Sequence, residues 1–130
     1  MTFLKKILLV DHDAGVTASV RAALQECGHY RLREEHDERY ACQAARWFQP
    51  DLILCDLPRA QTIRSPRVLE LQQQAAATNT PFVILTANAA EDGGFSSSGI
   101  LSGYTFFANS TRLQDFIRCV GEILYPISGR

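Results

Sequence analysis

Three acids and a hydroxyl stand where apolar runs end. Asp11 and Asp13 flank His12 directly after Ile7-Leu8-Leu9-Val10, Asp56 closes Leu52-Ile53-Leu54-Cys55, and Thr86 closes Phe82-Val83-Ile84-Leu85. Carboxylates gathered in one place repel a bare phosphate and attract a hard divalent cation such as Mg²⁺, which prefers oxygen ligands. A cation held there neutralises the oxygens of an incoming phosphoryl group. A carboxylate beside it can then act as nucleophile and become an acyl phosphate. The Thr86 hydroxyl is suited to bond the new phosphoryl oxygens, because such transfer is mostly positioning and electrostatics and needs few groups. Taken singly, Asp11 and Asp13 read equally well as loop acids, one of them capping the helix that follows.

What makes these residues a group is the order of elements that must carry them. Each apolar run has the length of a strand buried on both faces, as in the middle of a parallel sheet. Between the runs the pattern turns helical. Ala14 to Cys27 carries Val16, Val20, Leu24 and Cys27 at helical spacing, and Gly28 is a suitable stop. Tyr30 to Glu34 reads as a short polar strand nearer an edge. Asp37 can cap a helix through Tyr40, Ala41, Ala44, Ala45 and Phe48, which Pro50 ends. After an irregular stretch from Leu57 to Ser65, Pro66 fits the first turn of a helix through Val68, Leu69, Leu71 and Ala75.

Ala87 to Gly103 is the weakest helical segment, since its glycines and serines oppose helix formation. Tyr104-Thr105-Phe106-Phe107 reads as a fifth strand. Ser110 or Thr111 can cap a last helix with Leu113, Phe116, Ile117, Val120 and Leu124 along one face. Strand and helix thus alternate five times, which implies a parallel sheet with helices on both sides. Sites in such sheets gather at the carboxyl ends of the strands. Asp11, Asp56 and Thr86 should therefore share one rim.

The totals narrow the classes. A chain of 130 residues is expected to be one domain, and its hydrophobic content of 46% with 21% charged residues is ordinary for a globular protein. A formal net charge of −1 gives no reason to expect nucleic acid or an anionic membrane as partner. Cys27, Cys42, Cys55 and Cys119 are widely spaced and form no disulfide or zinc pattern, so a reducing cytoplasm is expected. His12, His29 and His36 read as surface or loop histidines rather than ligands. No apolar run approaches the roughly 18 residues of a membrane span, and no signal-peptide pattern opens the chain.

The stretches Ile7-Leu8-Leu9-Val10-Asp11, Pro50-Asp51-Leu52-Ile53-Leu54-Cys55-Asp56-Leu57 and Ile84-Leu85-Thr86-Ala87 resemble the receiver domain of bacterial two-component response regulators. The resemblance covers about Lys5 to Tyr125. It implies a doubly wound five-stranded sheet in the order 2-1-3-4-5 with five helices. It further implies that Asp56 takes a phosphoryl group from a histidine kinase or phosphotransfer protein, with Mg²⁺ required. Asp11 would belong to the acid pocket, Thr86 would be the switch hydroxyl, and Tyr104 the aromatic that turns inward with it. The signal would pass to a downstream protein partner or a fused output domain. At most the chain would catalyse its own phosphorylation and dephosphorylation.

The chain also departs from that family. Where the family has a second acid after the first strand, it has His12, a poor Mg²⁺ ligand beside carboxylates; Asp13 either replaces that acid or caps the helix. The family's lysine after the fifth strand is missing, because Lys5 and Lys6 are the only lysines. Phe107 or Asn109 holds its position, and Ala108 stands where proline would follow Phe107. Pro58-Arg59-Ala60-Gln61 replaces the usual turn after the acceptor. These departures leave two readings: a working receiver, and a degenerate receiver-like module that binds partners without phosphorylation. A flavodoxin-like cofactor binder is disfavoured, because a phosphate group would meet acids instead of the Gly, Ser or Thr donors it needs.

Overall fold

The computed structural model describes residues 4–11, 14–56, 66–86, 105–109 and 113–125. The elements are β1 (Lys5–Val10), α1 (Ala14–Cys27), β2 (Tyr30–Glu35), α2 (Glu38–Phe48), β3 (Leu52–Asp56), α3 (Pro66–Ala77), β4 (Phe82–Thr86), β5 (Thr105–Asn109) and α4 (Leu113–Leu124). All strand pairs are parallel and the sheet order is β2-β1-β3-β4-β5, the order that the family resemblance implies. The expected helical segment 87–103 lies outside the described residues, as do Tyr104 and the candidate caps Ser110 and Thr111.

The sheet is buried on both sides because successive strand residues point to opposite faces. Leu8 and Val10 of β1, Ile53 and Cys55 of β3, and Phe82 and Ile84 of β4 pack with Ala41, Ala45 and Phe48 of α2 and Leu71 and Ala75 of α3. The alternate residues Ile7, Leu9, Leu52, Leu54 and Val83 meet Val20 and Leu24 of α1 and Val120 and Leu124 of α4 on the other face. Ile7, Leu8, Leu9 and Val10 are wholly inaccessible to solvent, which is why β1 is a continuous apolar run rather than an alternating one.

Local signals mostly act where the sequence places them. Gly28 ends α1 at a φ of 72°, a left-handed conformation that glycine adopts without a side-chain clash. Asp37 caps α2 by accepting a hydrogen bond from the Arg39 backbone N–H. The helix stops at Phe48, two residues before Pro50, and its C-cap Gln49 lies in the left-handed region with its N–H bonded to the Ala45 carbonyl. Asp51 pins the start of β3 to β1 twice: its carboxylate accepts from the Lys6 N–H and its own N–H donates to the Lys6 carbonyl.

Helices α2 and α3 run through the expected residues, with Tyr40 and Leu69 exposed because each lies a residue or two away from the buried stripe of its helix. Two strand ends are corrected. β5 continues past Phe107 to Asn109, since its ladder runs on until Asn109 pairs with Thr86. β2 extends to Glu35, because it stays in register with β1 up to Val10.

Candidate functional site

The carboxyl rim is assembled by register. Val10 pairs with Cys55, so Asp11 comes level with Asp56, the next residue of β3. Asp56 pairs with Leu85, and Thr86, the following residue, pairs with Asn109. Three polar positions foreseen from sequence, Asp11, Asp56 and Thr86, therefore stand at the same end of three adjacent strands. Of the two positions left open for the missing lysine, Asn109 lies at the rim beside Thr86, whereas Phe107 pairs with Ile84 two residues further back. His12, Asp13 and Tyr104 fall outside the described residues.

Asp11 is the best-defined group. It sits one residue beyond β1, where its N–H donates to the Glu35 carbonyl and continues the β1–β2 ladder. Its side chain is completely buried. A carboxylate without water needs polar partners, and one of its partners is the Nδ1 of His36, 2.5 Å from Oδ1. His36 follows β2 in a bend and is itself well exposed, with 64% of its side chain open to solvent. It is the loop histidine that the sequence suggested, but one held against the acid at the centre of the rim.

Glu34 completes this end. Asp11, Glu34 and His36 each offer an oxygen or nitrogen atom, and these atoms all lie within 4.8 Å of one another. The cluster has the donor atoms to bind a metal. The Arg21 guanidinium from α1 donates to both Glu34 oxygens, at 2.8 and 3.1 Å. The hydrogen bond to Glu34 raises the Arg21 pKa above its ordinary value, the charge of Glu34 adds to this, and Asp11 contributes a smaller attraction. The acids at this end of the rim thus already have cationic or hydrogen-bonding neighbours from two other elements.

Glu34 and His36 escape a search limited to apolar runs ending in an acid. The readable signal is the sheet order: in 2-1-3-4-5, the second strand lies beside the first, so Glu34-Glu35-His36-Asp37 must reach the same rim as Asp11. A separate cleft of about 680 Å³ lies between α2 and α3, lined by residues including Arg46, Gln49, Glu70 and Thr80. Pro50 and Ile53 place it toward the start of β3, away from the rim.

No protein-family model matches the chain, and no curated protein matches it by sequence. Solved structures do. The Francisella response regulator 1452 receiver domain superposes with a TM-score of 0.67 at 18% identity, over 92% of this chain and 96% of that one. Chemotaxis response regulator CheY4 of Vibrio cholerae gives a TM-score of 0.61 at 22% identity, over 91% and 99%. The Mn²⁺-bound form of response regulator Rcp1 gives 0.63 at 21% identity, over 97% and 99%. The chain therefore has the fold of response regulator receiver domains along nearly its whole length. Among the described residues, no helix is long and apolar enough to cross a membrane.

Proposed function

We propose that this chain is a receiver module that accepts a phosphoryl group on Asp56 and thereby changes its preference for a protein partner. The observation that carries this reading is the register, which brings Asp11, Asp56 and Thr86 to one rim of a parallel 2-1-3-4-5 sheet. In the proposed step an Asp56 oxygen attacks the phosphorus of a phosphohistidine on a histidine kinase or phosphotransfer protein. The P–O bond forms as the P–N bond breaks, and the imidazole leaves with the electron pair. The product is an acyl phosphate with about two negative charges and strong acceptor oxygens. Thr86, whose strand position ends at the same rim, would bond them through its hydroxyl and draw its segment toward the phosphoryl group. The change would be read by a downstream partner or a fused output domain.

Mg²⁺ is the cation that the fold suggests, and Asp11 and Asp56 would supply oxygens to hold it. The neighbouring donors fit Mg²⁺ poorly. One Asp11 oxygen already bonds an imidazole, and Arg21 adds positive charge at Glu34, whereas Mg²⁺ seeks a complete oxygen shell. The phosphoryl step above is accordingly assigned to the chain's own groups.

A second reading is favoured by two particular features. Both lysines stand in β1, so none can serve the rim after β5, and His36 holds the buried acid. On that reading the module binds its partner without phosphorylation. The deciding experiment is treatment with acetyl phosphate and a divalent cation, Mg²⁺ or Mn²⁺, followed by intact mass. A gain of one phosphoryl group that is absent from Asp56→Asn supports the first reading. No gain with either cation, in protein shown to be folded, rejects it in favour of the second.

A further inference from the structure

The end of β2 brings to the rim a donor that an all-oxygen pocket lacks. Register places Glu35 beside Val10, and the Asp11 N–H bond to Glu35 then sets the bend at His36 directly over the Asp11 carboxylate. Glu34, one strand residue before Glu35, supplies the third group within the 4.8 Å cluster. Two carboxylates and one imidazole nitrogen thus converge from the ends of two paired strands. Asp11 forms a fully buried floor, and the exposed His36 ring leaves a path from solvent.

From this geometry we infer that Asp11, Glu34 and His36 form a binding site for a divalent cation of the imidazole-accepting class, Zn²⁺, Co²⁺ or Ni²⁺, in place of Mg²⁺. Imidazole suits those ions, while Mg²⁺ is served by carboxylate, carbonyl and water oxygens. Three protein ligands with water completing the shell is the arrangement of open zinc sites. Arg21 sharpens the distinction. Its charge beside Glu34 opposes every cation, and this costs most to an ion bound chiefly by electrostatic attraction to carboxylates. An ion that also bonds to imidazole nitrogen retains that further contribution. Metal entry replaces the Asp11–His36 hydrogen bond, and the bridging proton leaves to solvent as both atoms turn their lone pairs to the metal.

This inference refines the cation requirement of the proposed function, yet it does not depend on phosphorylation, because its test reads the metal directly. Co²⁺ and Mg²⁺ are titrated separately into the full chain, with heat and, for Co²⁺, visible absorption recorded; Zn²⁺ is used for NMR of the His36 ring nitrogens. The expected result is one Co²⁺ per chain, a Zn²⁺-induced shift of the His36 ring, and affinity for Co²⁺ at least about tenfold lower in His36→Ala, with Mg²⁺ binding unchanged. His36 lies in an exposed bend, so this variant should fold, and Glu34→Gln provides an independent second variant. Co²⁺ binding unaltered in His36→Ala overturns the assignment. So does a thiolate charge-transfer band, which traces the metal to cysteine. Loss of Co²⁺ in Asp56→Asn, with the His36 ring unperturbed in the wild type, puts the metal at the phosphoacceptor and also overturns it. Phosphoryl incorporation, measured by mass without Co²⁺, succeeds or fails separately.

Discussion

At the β1–β2 end of the rim, Asp11 is buried against His36, and Arg21 binds Glu34 beside it. At the β3–β5 end, Asp56, Thr86 and Asn109 are brought to one rim by strand register, and the residue paired with Thr86 is an asparagine. One end therefore carries a guanidinium and an imidazole that its acids already bond. The other carries an acid and a hydroxyl, but no lysine from β5. The difference teaches that charge neutralisation at a rim can move along it. Arg21 on α1 and His36 after β2 bring positive charge or hydrogen-bond donation from the side opposite to the missing lysine, although neither occupies a position that a motif would mark.

The substitution that tests this contrast most strongly is Asn109→Lys, which puts a cation beside Thr86. A charge placed to meet developing phosphoryl oxygens is among the larger electrostatic effects in transfer chemistry. Incorporation from acetyl phosphate, followed as an intact-mass time course, is expected to accelerate about tenfold or more. An unchanged rate would mean that the β1–β2 end already supplies the neutralisation, and the two ends would then be functionally equivalent.

The sequence made the β3–β5 end legible because its residues close their own apolar runs. An acid after Leu52-Ile53-Leu54-Cys55 and a hydroxyl after Phe82-Val83-Ile84-Leu85 announce both the strand and its terminus. The sheet order followed from alternating elements together with the family resemblance. The β1–β2 end was half legible. Asp11 closes an apolar run, whereas Glu34 and His36 belong to a polar edge strand whose pattern carries no burial signal. Their meaning depends on which strand is their neighbour, and that is long-range information. The end of β5 is hidden for a related reason: Asn109 is polar and reads as loop by itself, and only pairing with Thr86 keeps it in the strand. Tyr40 shows the converse limit, an apolar residue that falls off the buried stripe of α2 when the helix forms.

A smaller effect separates the two ends by stability. Asp37 caps α2 immediately after His36, and its carboxylate accepts from both the backbone and the guanidinium of Arg39. It thereby fixes the bend that aims His36 at Asp11. Asp37→Ala is expected to cost about 1 kcal/mol through the lost cap, a fall in Tm of roughly 3–5 °C for a chain of this size. NMR of the His36 ring should show a weakened bond to Asp11, while phosphoryl incorporation at Asp56 stays near the wild-type rate. Equal loss at both ends would show that the rim behaves as one unit.

The smallest expected effect lies at the other end of β2 and tests whether that strand couples its two termini. Tyr30 begins β2, with its ring 6.1 Å from that of Tyr125 between centroids. Burial raises its pKa above the ordinary 10.0, and the neighbouring Cys27 and Tyr125 raise it further when they carry negative charge. The folded state therefore holds the phenol proton more tightly than the unfolded chain does. This contribution to stability is intact below pH 10.0 and is lost as pH rises from there through the folded value. Tyr30→Phe removes the ionisation, so denaturant unfolding as a function of pH should show a shallower alkaline decline than the wild type. The difference should vanish at neutral pH apart from any constant offset due to the lost hydroxyl. If β2 acts as a rigid rod, the alkaline transition should also perturb the His36 ring at its far end, and Tyr30→Phe should abolish that perturbation. If the Asp11 N–H bond to Glu35 anchors the rim locally, the ring signals should pass through the Tyr30 transition unchanged, and the β1–β2 end would owe its geometry to its own contacts.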